Sequence, residues 1–112
     1  MGAYEYQDTT TSTGKKIFIK KNVPLHVYPN PFSTSTLISV SLSTSCQAEV
    51  VIYDLQGVKI KSLTDAKLSK GSYNMVWDGS DNNKHPVSPG EYIAVLIKDG
   101  QIAESIKIQK TN

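Results

Sequence analysis

The run "AEVVIYDLQGVKI", Ala48–Ile60, decides how the rest of the chain is read. Its first eight residues, Ala48–Leu55, carry Val50 and Ile52 on one face and Val51 and Tyr53 on the other. Successive side chains of a strand point to opposite faces, so a run that is apolar on both belongs in the middle of a sheet. "DLQG", Asp54–Gly57, is a tight-turn sequence. "GVKIK", Gly57–Lys61, then returns with Val58 and Ile60 inward and Lys59 and Lys61 outward. A central strand, a tight turn and an antiparallel partner are expected.

Reading outward, helical periodicity is nearly absent and two-residue alternation recurs. "TLISVSL" (Thr36–Leu42) sets Ile38, Val40 and Leu42 against Ser39 and Ser41, and "SYNMVWD" (Ser72–Asp78) puts Tyr73, Met75 and Trp77 on one face. "EYIAVLI" (Glu91–Ile97) is a second two-sided run. "QIAESIKI" (Gln101–Ile108) aims Ile106 and Ile108 inward, but Glu104 shares their phase, which implies a bulge or an edge position. Asp99-Gly100 suits a two-residue hairpin loop, and "SKGS" (Ser69–Ser72) a looser turn. "DGSDNNKHPVSPG" (Asp78–Gly90) is a long polar loop. With a short strand at Leu25–Tyr28, these runs predict an all-β fold, a seven-stranded antiparallel β-sandwich. Its expected core is Ile38, Val40, Ile52, Met75, Trp77 and Leu96, with Tyr53, Tyr73 and Tyr92 also in core roles.

"YPNPF" (Tyr28–Phe32) brackets one asparagine with two prolines. Proline fixes φ, donates no N–H and pushes the preceding residue toward extended geometry. Tyr28 and Asn30 are therefore expected to be extended, with Pro29 and Pro31 unable to donate to a central ladder. The stretch reads as a stiff, extended lead-in. Upstream, residues 1–23 are expected to be a linker or the last hairpin of a preceding cargo domain, and residues 24–112 the domain itself. Met1 and Gly2 read as expression residues on an excised piece. "MGAYEY" lacks the apolar region of a signal peptide, and no run approaches the roughly 18 apolar residues of a membrane-spanning helix.

Composition narrows the function classes. Hydrophobic residues make up 38% and charged residues 20%, which suits a folded domain and not a disordered one. All 12 basic residues are lysine. Nucleic-acid readers use arginine for bidentate contacts to phosphate and guanine, so no nucleic-acid partner is expected. Cys46 is alone, which excludes a disulfide framework or a cysteine metal site and leaves a small buried apolar residue. His26 and His85 accompany no nucleophile motif, so no catalytic residue and no cofactor site is expected. Asp78, Asp81, Asn82 and Asn83 are oxygen-rich, but their spacing is not that of an EF-hand and a long turn uses the same residues for its own backbone. A plain turn without metal is expected. The lysine clusters read as solvated faces and edge protection.

Taken in order, "YPNPF", "TLISVSL", "EVVIYDLQGVKI", "KGSYNMVWDG", "PVSPGEYIAVL" and "ESIKIQK" resemble the type A C-terminal sorting domain of the type IX secretion system of Bacteroidota. The resemblance covers about Pro24–Thr111. It carries a signal motif onto Tyr28, Pro29, Asn30, Pro31, Asp54, Gly57, Gly90, Tyr92, Lys107 and Lys110. "VWDGSDNNKHPVSPGEYIAVL" is also similar to the Ig-like domain of flagellar hook-capping proteins; Asn83 stands where a glycine is usual and is expected to take the left-handed backbone. The resemblance implies an Ig-like sandwich that is not itself an enzyme and rides behind an N-terminal cargo domain at the end of a longer protein. It implies folding in the periplasm, recognition by the outer-membrane secretion translocon, removal by a surface sortase, and a cell-surface or extracellular destination for the cargo. The alternative is an accessory carbohydrate-binding or stalk module of a secreted glycosidase, which needs a planar row of exposed aromatics.

Overall fold

The computed structural model describes residues 24–112 in full and, ahead of them, the backbone of Glu5–Thr10 and Lys16–Lys21. The readings of Met1 and Gly2 lie outside the described residues. β1 (Glu5–Thr10) and β2 (Lys16–Lys21) pair antiparallel with each other. The seven strands that follow are β3 (Leu25–Tyr28), β4 (Thr36–Leu42), β5 (Cys46–Asp54), β6 (Lys59–Leu68), β7 (Gly71–Trp77), β8 (Gly90–Lys98) and β9 (Gln101–Lys110). They form two antiparallel sheets, ordered β3-β4-β7 and β6-β5-β8-β9.

The two-sided strands fall where their sequence demands. β5 and β8 pair with each other at the centre of the four-stranded sheet, and β6 and β9 flank them. β4 lies between β3 and β7, so its alternation reads directly as burial: Thr36, Ile38, Val40 and Leu42 are buried while Leu37 and Ser41 are exposed. The Lys98–Gln101 hairpin closes on Asp99 (φ 50°) and Gly100 (φ 81°), the left-handed pair that matches strand twist. Asp99 also ties this turn to the next strand, its carboxylate accepting the Gln47 N–H at 2.9 Å.

The core lies between the sheets. Ile38, Ile52, Trp77 and Leu96 are fully buried and Val40 nearly so. Met75 instead is half-buried and packs against the core from its margin. Trp77 sits between two aromatic rings, Phe32 at 5.3 Å and Tyr92 at 5.4 Å edge-on. Its indole N–H donates to the Ser80 carbonyl at 2.9 Å, so no donor is left bare in the interior. Cys46 is buried, as a small apolar residue.

β6 departs furthest from expectation. It runs to Leu68, well past Lys61, and its register against β5 shifts twice, between Val50 and Val51 and between Ile52 and Tyr53. These shifts break the alternation that marks the other strands, yet bring Ile60, Leu63 and Leu68 against the core. Val58 is 56% exposed, not inward. The Asp54 carboxylate captures the N–H groups of Gln56 and Val58, both at 2.9 Å, and holds Val58 in the turn. Tyr53 lies with Ile93 and Val95 on the outer face of the sheet, outside the core cluster. Glu104 meets both readings: β9 is an edge strand, and its pairing with β8 shifts between Leu96 and Ile97.

Trp77→Ala is expected to lower unfolding free energy by about 3–5 kcal/mol, the range for large buried aromatics. Chemical denaturation measures it. A variant as stable as the parent contradicts the assigned core.

Candidate functional site

"YPNPF" is not an extended lead-in. Leu25–Tyr28 already forms β3, with Leu25 1% exposed, so the prolines lie inside the domain. The chain bends at Pro29–Pro31, where the Tyr28–Pro29 and Asn30–Pro31 peptide bonds are both cis, and it crosses from one sheet to the other. What it meets there explains the bend. Asn30 donates through Nδ2 to the Lys107 carbonyl at 2.7 Å and accepts the Gln109 N–H through Oδ1 at 2.9 Å. One carboxamide thus supplies a donor and an acceptor to the edge of β9, as a neighbouring strand would. Phe32 completes the pairing in a parallel bridge to Lys110. Its N–H donates to the Gln109 carbonyl at 3.0 Å, and its carbonyl accepts the Thr111 N–H at 2.8 Å. The chain returns at Thr36, whose buried hydroxyl donates to the Pro29 carbonyl at 2.6 Å.

The ten residues carried over from the resemblance gather at this end of the sandwich. Strand register sets Asp54 opposite Tyr92, Tyr92 opposite Ile108, Gly90 opposite Lys110 and Ile93 opposite Lys107. Gly57 (φ 85°) closes the turn that Asp54 organises. Tyr92 is buried with its hydroxyl donating to the Ser88 carbonyl at 2.6 Å; burial, then the nearby Asp54 carboxylate, push its pKa above the ordinary value. Lys107 pairs with Glu91 at 3.4 Å, an exposed ion pair worth about 0–1 kcal/mol.

Four residues of this end were not singled out from sequence. Phe32, Gln109 and Thr111 bond through their backbones, which no side-chain motif records, although Phe32 stands within the quoted stretch. Gly79 is required by its φ of +74°, and a Cβ there would come within 2.7 Å of the Lys110 Cε, so the flexible end of that side chain would have to shift. The glycine of "VWDG" was legible as a turn residue but not as the floor under Lys110.

Two apolar surfaces reach solvent, one at this end and one running from it along the outer face of the four-stranded sheet. Tyr28, Leu37 and Val76 form one cross-strand row on the three-stranded sheet, with Tyr28 78% exposed. On the four-stranded sheet, Tyr53, Leu55, Ile93 and Ile102 line a groove of about 270 Å³ with Asp54 and Gly57 at its rim. Neither is a platform of aromatic rings. Among the described Phe, Tyr and Trp side chains, Tyr28 alone is classed as exposed.

The polar loop after β7 spends its oxygens on itself. Asp78 accepts the N–H and hydroxyl of Ser80, and those bonds lower its pKa. Asp81 accepts the N–H groups of His85 and Asn83, which likewise hold its carboxyl below the usual value. Asn82 accepts the Ser62 N–H at 3.1 Å and so anchors the loop to β6. The left-handed residue is Lys84 (φ 66°), not Asn83. Its N–H closes a turn on the Asp81 carbonyl at 3.0 Å, which moves the left-handed position one residue along. Among the described residues no group of three His, Cys, Asp or Glu side chains gathers to hold a metal.

The family described as the FlgD Ig-like domain matches residues 30–99. Among solved structures, the fold is similar to part of PorZ, an essential bacterial surface component of the type-IX secretion system of Porphyromonas gingivalis. The identity is 17% and the TM-score 0.54, over 79% of this chain and 11% of that one. It is also similar to FlgD from Xanthomonas campestris, from a study of hook capping in flagellar assembly, at 18% identity and a TM-score of 0.53. That likeness covers 78% of this chain and 62% of that one. At these identities both likenesses concern the fold. A comparison with curated proteins gives no significant match.

The self-bonded loop carboxylates set the expected response to calcium. Thermal midpoints in chelator and in millimolar calcium should coincide, because a bound ion stabilises the folded state by mass action. A rise of several degrees with calcium contradicts the plain-turn assignment.

Proposed function

This chain belongs to the FlgD Ig-like domain family, and we propose that it serves as a non-catalytic C-terminal signal domain of the type IX secretion system. In this reading residues 24–112 are the signal, read by the outer-membrane translocon and a surface sortase. Residues 1–23 are then a linker or the last hairpin of the cargo domain ahead of it. The cargo passes through the periplasm and ends on the cell surface or outside the cell.

The observation that supports this reading is the gathering of ten residues, scattered from Tyr28 to Lys110, at one end of the sandwich. Core packing accounts for Tyr92, and turn geometry for Gly57. Asn30 is exposed but bonds to the edge of β9, and neither packing nor turn geometry accounts for the exposed Tyr28, Pro29, Pro31 and Lys107. Exposed side chains gathered at one end of a fold suit recognition by another protein better than they suit stability. Alternation also leaves apolar side chains in solvent beside them, at Leu37 and Val76, where a partner can bury them.

The test is export. The whole chain, fused behind a periplasm-directed fluorescent protein, is expected to carry it to the surface of a type IX-competent cell. Deleting Ile102–Asn112 removes an edge strand and half of the clasp and should leave the cargo in the periplasm. Tyr28→Ala, at a side chain that packs little, should fold normally and still lower export. Surface delivery by the truncated fusion at the parent level contradicts the reading.

A further inference from the structure

We propose that Tyr28–Phe32 and Lys107–Thr111 form a single latch, which opens and closes as one unit while both sheets stay folded. The pairing pattern leaves Pro29–Phe32 outside the ladders, while Lys107–Lys110 keep their pairing with β8. β3 and β4 pair only as far as Tyr28 with Leu37, so the chain from Pro29 to Ser35 belongs to neither strand. β8 and β9 pair as far as Gly90 with Lys110, so Thr111 lies beyond that ladder and is held by Phe32. The strap can therefore leave β9 without breaking a β3–β4 or β8–β9 bond.

The bonds across the latch form one continuous series. Along β9 they fall on the Lys107 carbonyl, the Gln109 N–H, the Gln109 carbonyl and the Thr111 N–H, in that order. Asn30 makes the first two and Phe32 the last two. The Thr111 hydroxyl adds a fifth, to the Phe32 carbonyl at 3.2 Å. Pro29 and Pro31 have no N–H to offer, so every bond of the strap to β9 passes through these two residues. Asn30, Gln109 and Thr111 are exposed, and each bond alone is weak in water. Phe32 is 3% exposed, so its ring must leave Trp77 before the strap can swing away. One buried ring thus gates five bonds, of which the two made by Asn30 are exposed, and the Phe32 bonds do not open without it.

Coupling of this kind is reciprocal: whatever loosens Asn30 must loosen Thr111, and the converse. Hydrogen exchange read by NMR on the full chain tests it, because the amides of Phe32, Gln109 and Thr111 are themselves latch donors. Asn30→Ala removes the acceptor of the Gln109 N–H outright, and is expected to speed exchange at Phe32 and Thr111, whose own acceptors remain, by a common factor of about tenfold, the scale of losing two exposed bonds. Deleting Thr111 and Asn112 attacks the latch from its other end and should speed Phe32 and Gln109 alike. In both variants the amides of Ile38, Val40, Ala94 and Leu96 should keep the parent rate. Acceleration confined to Gln109 in Asn30→Ala, with Phe32 and Thr111 unchanged, overturns the proposal. Equal acceleration at the core amides also overturns it, because the latch then opens only with the whole fold.

Discussion

Phe32 joins the two sheets by backbone and by side chain together. Its ring rests on Trp77 in the core, and its peptide groups bond to Gln109 and Thr111 on the edge of β9. Burial decides the energetics: a fully buried phenylalanine contributes about 1.5–3 kcal/mol, and an aromatic pair adds about 0.5–1.5 kcal/mol. Each backbone bond adds about 1 kcal/mol net. The ring supplies most of the attraction and the bonds supply direction, fixing which residues of β9 the strap meets. Tyr92, on the far side of Trp77, extends the same aromatic contact to β8.

The prolines suit this work for a reason opposite to the one expected. They were read as stiffeners of an extended lead-in, yet the strap must leave β3, touch β9 and return to β4. A segment that cannot donate at Pro29 and Pro31 cannot pair there as an ordinary strand. The Asn30 carboxamide replaces what is lost, with one donor and one acceptor on β9. The strap also closes the end of an edge strand, and an unpaired strand edge invites pairing with other chains. The same residues thus protect the sheet and leave Tyr28, Asn30 and Lys107 exposed at one end of the sandwich.

Most of the fold was legible because alternation is a direct consequence of strand geometry. β4 shows this residue by residue, and the two-sided runs of β5 and β8 correctly placed those strands at the centre of their sheet. β6 was cut short because two register shifts erase the period that identifies a strand. Val58 was misplaced because period alone does not register an aspartate that holds the turn open. The site was legible only as a set of scattered residues. Nothing local in Tyr28–Pro31 or Lys107–Lys110 says that the two segments meet, 77 residues apart in the case of Asn30 and Lys107. The bonds that Phe32 and Gln109 make across the gap, and the first of those made by Thr111, use backbone groups that every residue possesses, and no side-chain pattern marks them.

A double-mutant cycle between Phe32→Ala and deletion of Lys110–Asn112 tests the central claim most directly. Removing the ring should free the terminal residues, and removing the terminal residues should free the ring. The two losses of unfolding free energy are therefore expected to be non-additive by about 1 kcal/mol or more, the double variant losing less than their sum. Losses that add within about 0.3–0.5 kcal/mol, as for distant independent sites, would contradict a clasp in which Phe32 and the end of β9 hold each other in place.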